Sequence, residues 1–183
     1  MNKSIFFVLT CLTASVNGAT WTTQSTMLPR FEWVVLDHAD GNSMGYGATI
    51  AQDHIFISGS MKEVARVENP QTGVAVESTD LGTDGDIFLA KVSTDGRPKE
   101  IWTYSGSQNE FPSHLATSTD DMYISMTGYF AGDITFGDFT FTNTKDASLE
   151  VHGRDIDDGF VVKVSAEDGS VVWAKQFIAT SGT

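Results

Sequence analysis

The chain has one cysteine, Cys11, and it lies inside an N-terminal apolar run. Once that run is shed no thiol is left, which excludes disulfides, thiolate nucleophiles and cysteine-ligated metals. Basic residues are scarce as well, with 11 Lys and Arg against 24 Asp and Glu, a formal charge of −13. A surface of that sign repels nucleic acid and anionic bilayers, so neither is an expected partner. Long hydrophobic runs are missing, and no stretch reaches the ~18 apolar residues of a membrane-spanning helix. Proline is rare at 4 while glycine stands at 17, the balance of a chain with many tight turns. With 40% hydrophobic and 19% charged residues, the 183-residue chain has a globular composition and enough length to bury one good-sized core.

Residues 1–18 have the layout of a secretory signal. Lys3 supplies the positive start, Ile5–Ala14 the apolar run, and Val16 and Gly18 the small residues before a cut at Ala19. Cys11 also suggests a lipoprotein box, but Thr10 is a poor residue before such a cysteine. Removing the signal takes Lys3 with it and leaves 10 basic against 24 acidic residues, a net −14. The only glycosylation sequon, Asn2-Lys3-Ser4, leaves too, so the expectation is a secreted protein without an N-glycan.

After residue 30, alternation and β-branched or aromatic residues dominate, and no amphipathic helix stands out. One pattern occurs twice. Asp86-Ile-Phe-Leu-Ala-Lys-Val-Ser93 returns as Asp158-Gly-Phe-Val-Val-Lys-Val-Ser165; in each case an Asp-Gly turn and a second run closing on Trp102 or Trp173 follow. Upstream, Gly47–Ile50 and His54–Ser58 form a hairpin around Gln52-Asp53, matched by Leu115–Thr117 and Met122–Thr127 turning at Thr119–Asp121. Between the hairpins and the closing pairs lie two ribbons. One is Asp133–Thr142, with apolar residues at Ile134, Phe136, Phe139 and Phe141; the other is Val64–Val67 with Val74–Val76 around the Asn69–Gly73 turn. Phe31–Leu36 reads as a further strand. The order predicts four-stranded antiparallel meanders, each with an inserted ribbon: units of roughly 31–104 and 105–177 within a region 19–183 that follows the signal. Such meanders are the blades of β-propellers, which close with ~4–8 of them. Two are present here, which predicts an incomplete ring, cut at the C-terminal end, with further blades supplied in cis or by oligomerisation.

The segments Tyr123-Ile-Ser-Met-Thr-Gly128, Phe136-Gly137, Asp158-Gly-Phe-Val-Val-Lys163 and Trp173-Ala-Lys-Gln-Phe177 resemble the bacterial-type β-propeller repeat family. That family's units read as a strand ending in Thr-Gly, a Phe-Gly ribbon, an Asp-x-Phe strand ending in Lys, and a Gly-x-x-x-Trp closing strand. The resemblance covers most of residues 31–183 and is closer in the second unit. It implies a secreted or surface-attached propeller, and it brings no shared catalytic residues.

Other motifs in the chain also fit plainer roles. Gly41-Asn-Ser-Met-Gly45, with Asp37 and His38 upstream, fits the nucleophile-elbow pattern, but that elbow needs a helix after Ser43 and the following Tyr-Gly-Ala-Thr-Ile reads as strand. Asp155, Asp157 and Asp158 precede Gly159, a layout that hard cations favour and the one candidate for calcium; no other cofactor is expected. The helix-loop-helix calcium site is excluded, because its twelfth position, counted from Asp155, is Ala166. His38, His54, His114 and His152 show no ligand spacing. Trp102 and Trp173 read as packing residues between neighbouring units in preference to a sugar-stacking or quinone site. Gly169 and Trp173 fit the quinone-dehydrogenase repeat, whereas Lys163, Ser165 and Pro98 depart from it.

These readings add up to an extracellular, non-enzymatic binding or structural module whose partner is a protein or a glycan. Its candidate surface is the loop set His38–Ser43, Gln108–Pro112 and Asp155–Asp158. The alternatives are a fragment of an extracellular propeller enzyme, hydrolase or quinone-type dehydrogenase, and a calcium-dependent adhesion module.

Overall fold

The computed structural model describes residues 35–37, 44–69, 72–78, 85–143 and 157–178. The signal segment, Phe31–Val34, the loop His38–Ser43, His152 and Asp155 lie outside them. Among the described residues every element is a β-strand and every pairing is antiparallel.

The first four-stranded sheet has the order β2-β3-β6-β7, from β2 (Met44–Ala51), β3 (His54–Met61), β6 (Asp86–Ser93) and β7 (Pro98–Tyr104). The second has the order β13-β12-β9-β8, from β8 (Glu110–Thr117), β9 (Tyr123–Phe130), β12 (Asp158–Ser165) and β13 (Val171–Phe177). Both are meanders with a two-stranded excursion between their second and third strands. In the first sheet the excursion is β4 (Arg66–Asn69) with β5 (Val74–Glu77), joined by β1 (Val35–Asp37) along β4. In the second it is β10 (Asp133–Phe136) with β11 (Phe139–Thr142), and Gly106 bridges to Ile134.

Local chemistry sets these elements. Gln52 and Asp53 both take positive φ, 49° and 57°, the backbone of a two-residue turn whose twist matches the flanking strands. At the corresponding turn of the second sheet Asp121 has φ 58°, and the Asp120 side chain accepts from the Met122 amide at 3.2 Å. The β-branched and aromatic residues of β6 and β12 suit a pleated, buried strand. Each sheet also carries a bulge at the same place, between Lys91 and Val92 and between Lys163 and Val164.

The two sheets stack. Side chains alternate between the faces of a strand, so each sheet offers two distinct surfaces. One face of the first sheet (Phe56, Ile87, Leu89, Trp102, Tyr104) shares a core with Ile124, Met126, Phe160, Val162 and Val164 of the second sheet and with Ile134 and Phe136 of β10. Its other face (Ile55, Phe88, Ala90, Val92) is covered by the ribbon residues Val67 and Val76. Phe56, Phe88, Phe130, Phe136 and Phe160 are fully buried. Each such side chain removed from water stabilises by about 1.5–3 kcal/mol, so these five are a large share of the hydrophobic driving force.

The sheets differ in how completely they are covered. Along β6, Asp86 to Val92 are all buried, so both faces are packed. Along β12 buried and half-buried residues alternate, so one face alone is packed.

Candidate functional site

Two regions gather chemistry-bearing side chains. The first is one end of the second sheet, where Glu110 and Asp158 both pair with Phe130 from opposite sides. Glu110, Asp158 and the neighbouring Asp86 are buried carboxylates. Asp86 accepts from the Gly106 amide at 3.1 Å, and a Cβ built on Gly106 would lie 2.3 Å from Glu110 Oε1, so the two acids flank one backbone turn. Gln176 Nε2 donates to Asp158 at 2.7 Å and to the Thr142 carbonyl at 2.8 Å, tying β11, β12 and β13 together. Asn109 accepts from the Gly85 amide at 3.1 Å, and the Glu110 amide donates to the Gly85 carbonyl at 2.7 Å.

The structure therefore brings two of the sequence-predicted loops, Gln108–Pro112 and Asp157–Asp158, to the same end of the molecule. Gln108 and Asn109 are exposed, whereas Glu110, Pro112 and Asp158 are buried in the joint between strands. Asp158 has a structural partner in Gln176, as expected of an acid held inside a sheet. Among the described residues no group of three metal-ligating side chains forms a site; of the calcium candidates, Asp157 and Asp158 are described and Asp155 is not. Ser43 and His38 of the nucleophile-elbow pattern are also outside the described residues, and the pattern runs directly into strand β2 at Met44. His54 Nδ1 donates to the Gln52 carbonyl at 2.7 Å, a hairpin-turn role, and His114 is exposed on β8.

The second region is the uncovered face of the second sheet, which sequence reasoning missed. The strand registers place on it Phe111, His114 and Ala116 of β8, Tyr123, Ser125, Thr127 and Tyr129 of β9, Gly159, Val161, Lys163 and Ser165 of β12, and Trp173, Lys175 and Phe177 of β13. Phe177 is 59% exposed, Tyr129 40% and Trp173 37%. These strand positions include two lysines and no carboxylate, in a chain of net −13. The Phe111 and Tyr129 rings meet at a tilt with centroids 5.2 Å apart, Tyr46 stands edge-on to Phe111 at 6.1 Å, and Lys163 Nζ sits 3.9 Å over the Tyr123 ring. Burial, with Tyr129 nearby as a second cause, raises the Tyr46 phenol pKa.

The same face of the first sheet shows what such a surface does once covered. Lys91 Nζ donates to the carbonyls of Ala166 at 2.9 Å and Glu167 at 3.0 Å, in the hairpin turn of the second sheet. Tyr104 Oη donates to the Gly169 carbonyl at 3.3 Å, and Trp102 lies against the Cα of Gly169, so close that a Cβ there would come within 2.3 Å of the indole. Trp102 thus packs between the sheets, as its recurrence suggested. The two tryptophans are not in equivalent register, however. Trp102 pairs with Leu89 and Trp173 with Lys163, because Trp102 stands four residues after Pro98, the start of its closing strand, and Trp173 only two after Val171. Both still point to the same side of their sheets, since a shift of two preserves the face.

No known protein family, no curated protein and no solved structure matches the chain. What its own geometry defines is an all-β protein of antiparallel two- to four-stranded sheets. Among the described residues no helix is long and apolar enough to cross a membrane.

Proposed function

We propose that this chain is a secreted, non-enzymatic module of the β-propeller type that binds a partner or builds structure outside the cell. The observation that carries the reading is the head-to-tail stack: two sheets with the same strand order, one face of the first laid on the opposite face of the second, locked by Lys91 to the Ala166–Glu167 turn. Blades of a propeller are related in this way, and closed propellers contain ~4–8 of them. The acidic surface suits an exported protein and favours protein or glycan partners over nucleic acid. The residues at the acidic end are engaged in joining strands, which supports a scaffold role over a catalytic one.

The test is to recover the native product from the growth medium and determine its intact mass and first residue. A product beginning at Ala19 and lacking hydrolase or quinone-dependent dehydrogenase activity supports the reading. A product that keeps Met1 inside the cell overturns the location, and a turnover abolished by Ser43→Ala overturns the non-enzymatic assignment.

A further inference from the structure

We propose that Met122 is an oxidation site of this chain: peroxide converts its thioether to the sulfoxide, and the Gln52 amide then holds the new oxygen and tightens the contact between the two sheets. The proposal goes beyond the module reading and does not depend on it.

Three turns meet at Met122. Its side chain reaches the Gln52-Asp53 turn of the first sheet, where Gln52 Nε2 donates to Met122 Sδ at 3.6 Å. Its own amide donates to Asp120 Oδ1 at 3.2 Å, inside the turn between β8 and β9. Its carbonyl accepts from the Ala166 amide at 2.9 Å, in the turn between β12 and β13. Ala166 and Glu167 in turn receive Lys91 of the first sheet. Gln52 is fixed as well, since its carbonyl accepts from His54 Nδ1 at 2.7 Å. Donor and sulfur are therefore placed by backbone contacts that a change at the sulfur leaves intact.

Exposure selects this sulfur. Cys11 apart, every sulfur in the chain is a methionine thioether. Of the methionine side chains that the structure describes, Met61 and Met126 are fully buried and Met122 is 45% exposed. A dissolved oxidant reaches Met122 directly, whereas the other two require the core to open.

The step balances with hydrogen peroxide alone. A sulfur lone pair attacks one peroxide oxygen, and the S–O bond forms as the O–O bond breaks. The departing hydroxide takes the proton of the transferred oxygen and leaves as water, so sulfur is oxidised and the peroxide reduced. A thioether is a weak acceptor, whereas the sulfoxide is a polar group with an exposed oxygen. At a half-exposed position that oxygen keeps its contact with water and escapes the desolvation cost it would meet at Met61 or Met126. The Gln52 N–H, already directed at the sulfur, gains an oxygen acceptor in place of a weak one.

The experiment treats the full 183-residue chain with dilute hydrogen peroxide, maps oxidation by peptide mass and follows unfolding in urea. Met122 should oxidise about tenfold faster than Met61 and Met126, or more. The urea midpoint should rise by about 0.3–0.5 M, the worth of one improved hydrogen bond. Two variants are treated in the same way and compared with their own untreated samples. Met122→Leu carries oxidation at every other methionine and should show no rise. Gln52→Glu keeps the side-chain shape but presents oxygens in place of the donor, and its midpoint should fall on oxidation. Oxidation of Met122 no faster than of Met61 overturns the proposal. So does an unchanged or lowered midpoint in the unsubstituted chain, or an equal rise in either variant. Each of these results leaves the secretion and activity tests of the module reading untouched.

Discussion

Lys91 and Ala166 lie 75 positions apart, yet Lys91 Nζ donates to the Ala166 carbonyl at 2.9 Å and to that of Glu167 at 3.0 Å. Lys91 is 8% exposed, and its amine sits 5.9 Å from the Phe56 ring centroid. A buried ammonium needs its donors occupied, and here the hairpin turn of the neighbouring sheet occupies them. The contact ties the first sheet to the closing turn of the second.

Lys91→Met should therefore destabilise the chain by about 1–3 kcal/mol, the range for a charged hydrogen bond whose acceptors stay behind in the interior. Lys163→Met, which loses only a ring contact at a half-exposed site, should stay within about 1 kcal/mol. Urea unfolding of the two variants side by side checks the contrast. Equal losses would mean that the lysines do equivalent work and that the stack is not held as described.

Gly169 has φ +70° and the Trp102 indole against its Cα. Gly169→Ala adds a left-handed backbone penalty to a clash, on the order of 2–4 kcal/mol together. Gly73 has the same φ with nothing within 4 Å of a built Cβ, so Gly73→Ala should cost about 1 kcal/mol, the backbone part alone. The difference between their denaturation midpoints isolates the inter-sheet contact.

Tyr104 is 5% exposed, and desolvation pushes its phenol pKa well above the ordinary 10. Above pH ~10 the unfolded chain releases this proton while the folded chain keeps it, so stability that is intact below pH ~10 declines as pH rises further. Tyr104→Phe should flatten that part of the alkaline limb in thermal unfolding followed from pH 9 to pH 11. A limb of unchanged slope would place Tyr104 in contact with water.

On the acid side, Asp168 is held down to about 2, first by the Ser170 hydroxyl, then by that of Ser165 and the Ser170 amide. A depressed carboxylate contributes stability above its unfolded pKa and loses it as pH falls toward 2. Carboxyl carbon shifts in an NMR titration should place its midpoint near 2, and Ser170→Ala should raise it. A midpoint at the ordinary aspartate value would show that the turn's hydroxyl contacts do not persist in solution.

Calcium gives a further discriminating result. Asp158 is already held by Gln176 inside the strand joint, so about 1 mM calcium should leave the melting temperature unchanged. A site whose dissociation constant is about one tenth of that concentration would add about 1.4 kcal/mol, enough to move the midpoint by several degrees. Such a rise would put Asp155, Asp157 and Asp158 to use as ligands.

Turn chemistry and alternation made the strands legible. The Gln52-Asp53 hairpin, the turn at Thr119–Asp121, the ribbon with apolar Ile134 and Phe136 and the Asp-Gly closing pairs all stand where side-chain periodicity and turn residues put them. The equivalence of Trp102 and Trp173 misled, because the second turn is one residue longer while Trp173 lies two residues nearer the start of its strand, so the sequence spacing differs by one where the register differs by two. Lys91 and Lys163 share the local sequence Lys-Val-Ser, and only the stack decides that one is a buried anchor and the other a half-exposed residue. The uncovered face was illegible for the same reason. Val161, Lys163, Trp173 and Lys175 alternate as any strand residues do, and their exposure depends on which neighbour is present.

The Gly169 resonance reports on the head-to-tail stack of the two sheets. With the Trp102 indole on its Cα, the Gly169 Hα protons should be shifted strongly upfield, show cross-relaxation to the indole ring, and return to ordinary glycine positions in Trp102→Ala. Gly169 protons at ordinary positions in the unmodified chain, with no cross-relaxation to Trp102, would mean that the two sheets do not stack.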